Sequence, residues 1–169
     1  EAAAGSGLAA EKERRLGLVE AMRESGDNPY PYRFDRTHTL ADVRSGWGHL
    51  EPGIETEDPV SVAGRIMLKR DSGKLIFATI RDRSGEIQLF ISKAVVGDDE
   101  FAAIKDLDLG DWVGVNGTVM TTRKGELSVK PDHVELLSKA IRPMPDKWHG
   151  LTDVDTRFRQ RYADLIVNE

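Results

Sequence analysis

The sequence predicts a mainly β protein with some helix: a five-stranded Greek-key barrel with an N-terminal helical extension and a C-terminal helix. Two observations support this prediction. Apolar residues alternate with other residues over five separate stretches, which is the pattern of strands that bury one face. The stretches occur as three strands, a short helical segment and two further strands, an order typical of a small Greek-key barrel.

The first three predicted strands lie within residues 60–93 and are bounded by Gly, Asp and Ser residues. If residues 82–85 close the second hairpin as a four-residue loop, Phe77 lies opposite Phe90. Side chains alternate between the two faces of a strand, so every second residue is expected in the core. These core residues are Val60, Val62, Ile66 and Leu68 in the first strand, Ile76, Ala78 and Ile80 in the second, and Ile87, Leu89 and Ile91 in the third.

The last two strands are predicted at residues 111–121 and 126–137, after a short helix at residues 97–107 that Gly110 ends. The complete order matches the oligonucleotide-binding barrel, or OB-fold, whose second and third strands and first and last hairpin loops form the ligand face. A barrel that binds a protein or an oligosaccharide has the same strand spacing. Topology therefore leaves the ligand open.

The segments that flank the barrel divide the rest of the chain. A helix is predicted at residues 11–25 with Gly26 as its stop, and a second one near residues 40–44, where Thr39 and Asp42 form a capping pair. Residues 52–59 are expected to be a turn-rich entry to the sheet. The predicted domains are a linker or processed end at 1–10, the helical extension at 11–55, the barrel at 56–140, a proline-containing connector at 141–151 and a helical segment at 152–169.

Composition excludes several classes of chemistry. The chain has no cysteine, which rules out disulfides, thiol catalysis and Cys-based zinc sites and favours a reducing, cytoplasmic setting. No apolar run has the length of a membrane span. Residues 72–74 resemble part of a phosphate-binding loop but lack its other residues. No catalytic residues, metal site or cofactor are predicted, and four histidines lack ligand spacing: His38, His49, His133 and His149.

The outer face of the second and third strands is the candidate site. Thr79 pairs with Gln88 in the expected register, so Phe77 and Gln88 are diagonal neighbours about 7–8 Å apart. An exposed aromatic ring beside an amide suits an unstacked nucleic-acid base. The alternative is that Phe77 fills the core, but the alternation already assigns its neighbours there. The segment from Arg65 to Arg83 holds six basic and two acidic residues in a chain of net charge −5, which indicates contact with a few phosphates.

Several longer runs resemble one enzyme family. They are GRIMLKRDSGKLIFATIRDRSGEIQLFIS, DLGDWVGVNGTV, RKGELSV, LLSKAIRPMPDKWHGL and RFRQRYADLIVN. Together they are similar to the N-terminal anticodon-binding region of a bacterial-type class II lysine–tRNA ligase (lysyl-tRNA synthetase). The run SKAIRPMPDKWHGL distinguishes it from the aspartate and asparagine relatives. The run RQRYADLIVN resembles the start of the first class II motif, a helix used in dimerisation, with Ala163 where Leu is usual.

The resemblance implies a role for named residues. Phe77 would stack on an anticodon base, and Arg70, Gln88 and Glu126 would favour the uridines of a UUU anticodon. Without the resemblance, Glu126 would be a strand-end charge and Arg70 a loop cation. Possible contacts to the tRNA backbone are Lys69, Lys74, Arg123 and Lys124, and the dimer interface of the parent would include Phe158, Tyr162, Leu165 and Ile166.

The resemblance also implies a larger parent. Its catalytic domain, of which residues 152–169 would be the start, would use ATP and Mg²⁺ to form lysyl-adenylate and charge lysine tRNA in the cytoplasm as a homodimer. The present chain would bind tRNA without catalysis or cofactor. Three alternatives stay open: a non-enzymatic single-strand-binding barrel, the ligase-like module of a bifunctional lysylphosphatidylglycerol synthase, and a protein-interaction module.

Overall fold

A computed structural model describes residues 2–144 and 154–168, with the side chains of residues 2–6 and 156 left aside. The chain forms two compact units, one of residues 18–140 and one of residues 1–17 with 141–169. The predicted connector lies outside the described residues from position 145 to 151. The elements are α1 (Ala2–Ser25), α2 (Leu40–Trp47), β1 (Glu55–Ser72), β2 (Leu75–Asp82), β3 (Gly85–Ser92), α3 (Lys93–Val96), α4 (Asp98–Lys105), β4 (Trp112–Thr121), β5 (Leu127–Ser138), α5 (Val154–Arg159) and α6 (Arg161–Val167).

The five strands close into a barrel in the order β1-β2-β3-β5-β4, which confirms the predicted fold class. Neighbouring strands are antiparallel except β3 and β5, which run parallel and align Gln88 with Ser128. The β2–β3 hairpin has the predicted register, with Phe77 opposite Phe90. The interior holds the alternating apolar residues of all five strands, including Val62, Ile76, Ile80, Ile87, Leu89, Ile91, Val113, Val115, Val119 and Val129.

One core prediction is wrong in β1. Leu68 is 54% exposed, and Met67 beside it is buried instead. The pairing of β1 with β2 shifts between Ile66 and Leu68, so one extra residue interrupts the alternation. A bulge of this kind sends each later side chain to the opposite face from the one that strict alternation predicts. It also places Arg70 opposite Phe77 across the two strands.

The ends of β1 and α4 also differ from prediction. β1 starts at Glu55 and includes Pro59, within the stretch expected to be a turn-rich entry. Its pairing with β4 is irregular between Glu55 and Pro59, which suits a residue without an N–H group. α4 runs from Asp98 to Lys105 and so ends two residues before the predicted end at residue 107. Lys69 donates to main-chain carbonyls of its last turn. The turn of α3 was not predicted.

The helices before the barrel agree largely with the sequence. α1 ends at Ser25, and Gly26 follows with φ 88°, but the helix begins at Ala2 rather than near residue 11. α2 has the predicted capping box, in which Thr39 and Asp42 each bond the other's backbone N–H. Its buried residues Leu40 and Val43 join the barrel core, so this helix is anchored to the sheet.

The C-terminal helix is two helices rather than one. Gln160 leaves the helical region with φ −114° and ψ 50°, and its carbonyl accepts the amides of Ala163 and Asp164 as α6 begins. Asp164 is 2% exposed and accepts from Arg157 and Arg161. Phe158, Tyr162 and Leu165 are exposed, while Ile166 is partly buried.

Candidate nucleic-acid interface

Two aromatic rings lie on the outer face of β2 and β3. Phe77 and Phe90 meet edge to face, with ring centroids 5.4 Å apart and an interplanar angle of 81°. Phe77 is half-buried, while its neighbours Ile76 and Ala78 are in the core. The guanidinium carbon of Arg70 lies 5.3 Å from the centroid of the Phe77 ring. The ring is therefore held from two sides and keeps part of its surface accessible.

A polar chain lies beside these rings along the parallel seam of β3 and β5. Gln88 donates from Nε2 to the hydroxyl of Ser128 at 2.9 Å. Ser128 is fully buried and donates in turn to the main-chain carbonyl of Glu126 at 3.1 Å. The Gln88 amide is thus tethered at one end, within the outer face of the barrel.

Glu126 stands where the last hairpin loop enters β5. Gly125 before it has φ 84°, and the Glu126 N–H donates to the Thr122 hydroxyl at 3.1 Å. Its carboxylate lies 3.7 Å from the guanidinium of Arg44, which comes from α2. Arg44 is itself anchored, because its Nε donates to the carbonyl of Glu86 at 2.8 Å. The carboxylate remains half-exposed.

These side chains share one depression in the surface, which we call the outer concavity, of about 600 Å³. It brings together all four residues predicted to read an anticodon, and two of the four predicted backbone contacts. Its lining residues are Gly53, Glu55, Arg70, Phe77, Gln88, Phe90, Met120, Thr121, Thr122, Arg123, Lys124 and Glu126.

Comparison with known families bears directly on this surface. Residues 60–137 match the tRNA anti-codon family, described as an OB-fold nucleic acid binding domain. The barrel has the OB-fold topology that this family describes. The match begins within β1 and ends one residue before the end of β5, so it contains every lining residue of the outer concavity except Gly53 and Glu55.

Several bacterial lysine–tRNA ligases are similar to most of the chain. The chain is 49% identical over 157 residues to a lysine–tRNA ligase of Synechococcus sp. (strain CC9311), covering 92% of this chain and 32% of the relative. It is 50% identical over 156 residues to that of Bacillus subtilis, covering 91% and 31%. The chain spans about a third of the length of the curated relatives it matches. These matches confirm the resemblance to lysine–tRNA ligases that the sequence runs indicated.

The other two residues predicted to contact the tRNA backbone, Lys69 and Lys74, do not line the outer concavity. Lys69 donates through Nζ to the carbonyls of Ile104, Lys105 and Leu107, so it closes the end of α4. Burial lowers the pKa of Lys69, while nearby acidic residues oppose this change. Lys74 is exposed in the β1–β2 turn next to Gly73, outside the lining of the outer concavity.

Sequence reasoning missed two residues that hold the OB-fold site. Ser128 and Arg44 fix Gln88 and Glu126 respectively, and neither had a distinctive signal in the sequence. Ser128 reaches Gln88 only because β3 and β5 pair in parallel, which alternation cannot show. Phe90, in contrast, was predicted to lie opposite Phe77 from the expected register of the β2–β3 hairpin.

The outer concavity offers groups that can bind a nucleic-acid base and its phosphates. An aromatic face can stack on a base, an amide and a carboxylate can bond base edges, and Arg123 and Lys124 can meet phosphates. Within residues 2–144 and 154–168, no group of three or more His, Cys, Asp or Glu side chains is placed to hold a metal ion. Over the same residues, no helix is both long enough and apolar enough to cross a membrane.

Proposed function

We propose that this OB-fold domain recognises the UUU anticodon of lysine tRNA, as part of a lysine–tRNA ligase. The catalytic domain of that parent uses ATP and Mg²⁺ to make lysyl-adenylate and transfers lysine to the tRNA in the cytoplasm. The present chain supplies anticodon binding and catalyses nothing by itself. In the parent, Phe158, Tyr162, Leu165 and Ile166 of α5 and α6 contribute to a homodimer interface.

One observation carries the proposal: the outer concavity holds an accessible aromatic ring, a tethered amide and a half-exposed carboxylate together. An anticodon loop presents unstacked bases whose faces and edges such groups bind. The similarity to lysine–tRNA ligases of several bacteria supports the choice of tRNA.

The side chains divide the work by chemistry. Phe77 stacks on one base, which contributes about 1–3 kcal/mol by alanine substitution. Gln88, Glu126 and Arg70 bond base edges, because amides, carboxylates and guanidinium groups match the donors and acceptors that bases expose. Arg123 and Lys124 in the hairpin loop contact phosphates, and this contribution weakens with salt.

The test measures binding of the chain to a lysine-tRNA anticodon stem-loop at fixed salt, beside the same loop with its middle base changed. Wild type is expected to prefer the UUU loop. Phe77→Ala is expected to weaken binding of that loop by about fivefold to 150-fold, the range that loss of one stacked base gives. Phe158→Ala is the matched control, because it removes an exposed ring from the other compact unit and leaves the outer concavity intact.

Two results would reject the proposal. Equal affinity for both loops, with binding that grows with the length of any single strand, would instead indicate a general single-strand-binding barrel. Binding that survives Phe77→Ala, in a variant with a native circular dichroism spectrum, would remove the ring from the site.

A further inference from the structure

The Gln88 amide is held in one orientation by a buried hydroxyl. Ser128 lies beside Gln88 because β3 and β5 pair in parallel with these two residues aligned. Ser128 is completely buried, so its hydroxyl has no access to water and depends on protein partners. Among the residues that the structure describes, the hydroxyl has two partners, the Gln88 amide and the Glu126 carbonyl.

The direction of these two hydrogen bonds follows from the single proton of a hydroxyl. A carbonyl can only accept, so the Ser128 hydroxyl uses its proton on the Glu126 carbonyl at 3.1 Å. It must then accept from Gln88, whose –NH₂ end lies 2.9 Å away. A flipped amide would need the Ser128 proton for itself, so the hydroxyl would lose its bond to the Glu126 carbonyl and one hydrogen bond of the chain would be missing. The carbonyl Oε1 of Gln88 is therefore kept away from Ser128 and available to a ligand.

We propose that Ser128 is a positioning residue that makes this site select uracil over cytosine. This inference rests on the proposed function. Uracil has a donor at N3 and an acceptor at O4, and cytosine has an acceptor at N3 and a donor at N4. The two bases thus present donor and acceptor in exchanged order. An amide locked by Ser128 matches only one order, whereas an amide free to flip matches both.

The hydroxyl can be removed without leaving a backbone group unpaired. The Glu126 carbonyl also accepts the Thr122 N–H at 2.9 Å, so it keeps a partner in Ser128→Ala. A matched control is Thr79→Ala. Thr79 lies opposite Gln88 on the other neighbouring strand, and among the described residues its hydroxyl makes no hydrogen bond to Gln88.

The experiment measures affinity for the UUU stem-loop and for three loops in which one uridine at a time becomes cytidine. Wild type is expected to reject cytidine at one position by tenfold or more, as one well-oriented pair of hydrogen bonds does. Ser128→Ala is expected to reduce that ratio to about threefold or less, mainly because the cytidine loop binds more tightly. Thr79→Ala is expected to keep the wild-type ratio.

A second measurement needs no variant. The chain has only two glutamines and three asparagines, so the side-chain amide signals in a ¹⁵N-correlated NMR spectrum are few. One Gln88 amide proton of the free protein is expected to exchange slowly with water, and to exchange fast in Ser128→Ala. The exchange rate in wild type shows whether Ser128 holds the Gln88 amide, even if Ser128→Ala does not fold.

The possible failures are distinct. Wild type that binds no loop rejects the proposed function and the role of Ser128 in it. If wild type prefers the UUU loop and Ser128→Ala weakens binding of every loop by the same factor, the hydroxyl has only a structural role. An unchanged ratio of UUU to cytidine-loop affinity in Ser128→Ala also rejects the proposed role of Ser128. A Gln88 amide that exchanges fast in wild type rejects it too.

Discussion

Two polar clusters in residues 18–140 contain similar charged side chains but differ in how far those side chains are buried. In the first, Lys139 is 5% exposed and pairs with Asp108 and Asp111, of which Asp111 is completely buried. Asp111 also accepts the N–H groups of Asp108 and Ala140 at 2.8 Å each. In the second, the outer concavity, the Glu126 carboxylate has a guanidinium 3.7 Å away and remains half-exposed.

The two clusters differ in how many of their hydrogen-bond donors and acceptors already have partners within the protein. Both oxygens of Asp111 are used by neighbours, so this cluster stabilises the fold and has no capacity for a ligand. The Arg70 guanidinium makes a ring contact and, within the described part of the chain, no side-chain hydrogen bond. The outer concavity therefore keeps donors and acceptors that a bound nucleic acid can satisfy.

The largest effect that separates the two clusters is on stability. Lys139→Met removes the cation from a buried pair and leaves the Asp111 charge uncompensated, so the free energy of unfolding is expected to fall by about 3–5 kcal/mol. Lys130→Met is the control, because Lys130 pairs with the exposed Glu55 and such a pair contributes about 0–1 kcal/mol. Denaturant unfolding measures both. Equal losses in the two variants would mean that burial does not distinguish them.

A second buried carboxylate, that of Asp82, sharpens the comparison. Asp82 joins the β2–β3 loop to the start of α2, since it accepts from Ser84, Gly85 and the N–H of Leu40. Burial alone would raise the pKa of Asp82, but these hydrogen bonds together lower it below its usual 3.8. Asp82→Asn is expected to cost about 1–3 kcal/mol at pH 7, because an amide cannot accept from all these donors.

The pH dependence of this contribution has a definite sign. The ionised form of Asp82 is favoured in the folded state, so its contribution is present in full above pH 3.8 and is lost as the pH falls through the lowered native pKa. The difference between wild type and Asp82→Asn in unfolding free energy is therefore expected to shrink at acidic pH. Asp35→Asn, at an exposed pair with Arg33, should change stability little at pH 7. A difference that grows with acid would contradict this assignment.

The smallest effect separates two lysines that look alike in sequence. Lys124→Met, in the hairpin loop, is expected to weaken RNA binding and to reduce the slope of log affinity against log salt by about 0.7. Lys69→Met is expected to leave that slope unchanged and to lower stability by about 1–2 kcal/mol, because α4 loses its terminal donor. Salt titrations and unfolding curves check both. A reduced slope in Lys69→Met would return this residue to the interface.

The alternation of apolar residues and the Gly, Asp and Ser residues between the alternating runs were sufficient to predict the strands and most of the core. The β2–β3 register followed from loop length, so the placement of Phe77 opposite Phe90 was correct. The capping pair Thr39 and Asp42 located α2 because its hydrogen bonds are local. The prediction that Leu68 lies in the core was wrong, because a bulge depends on how β1 and β2 pair and the sequence of one strand does not show that pairing.

The chain's own alternation was enough to choose a barrel and to place Phe77 and Gln88 on one surface, because local periodicity and short loops govern which face a side chain takes. Arg70 and Glu126 were added to that surface only by the resemblance to lysine–tRNA ligases. Only the folded barrel separated Lys69 from Lys124 and added Ser128 beside Gln88. Those relations join residues far apart in the chain, across a helix end and a parallel seam. The first depends on the position of the end of α4 beside β1, and the second on the closure of β3 on β5; no local pattern specifies either.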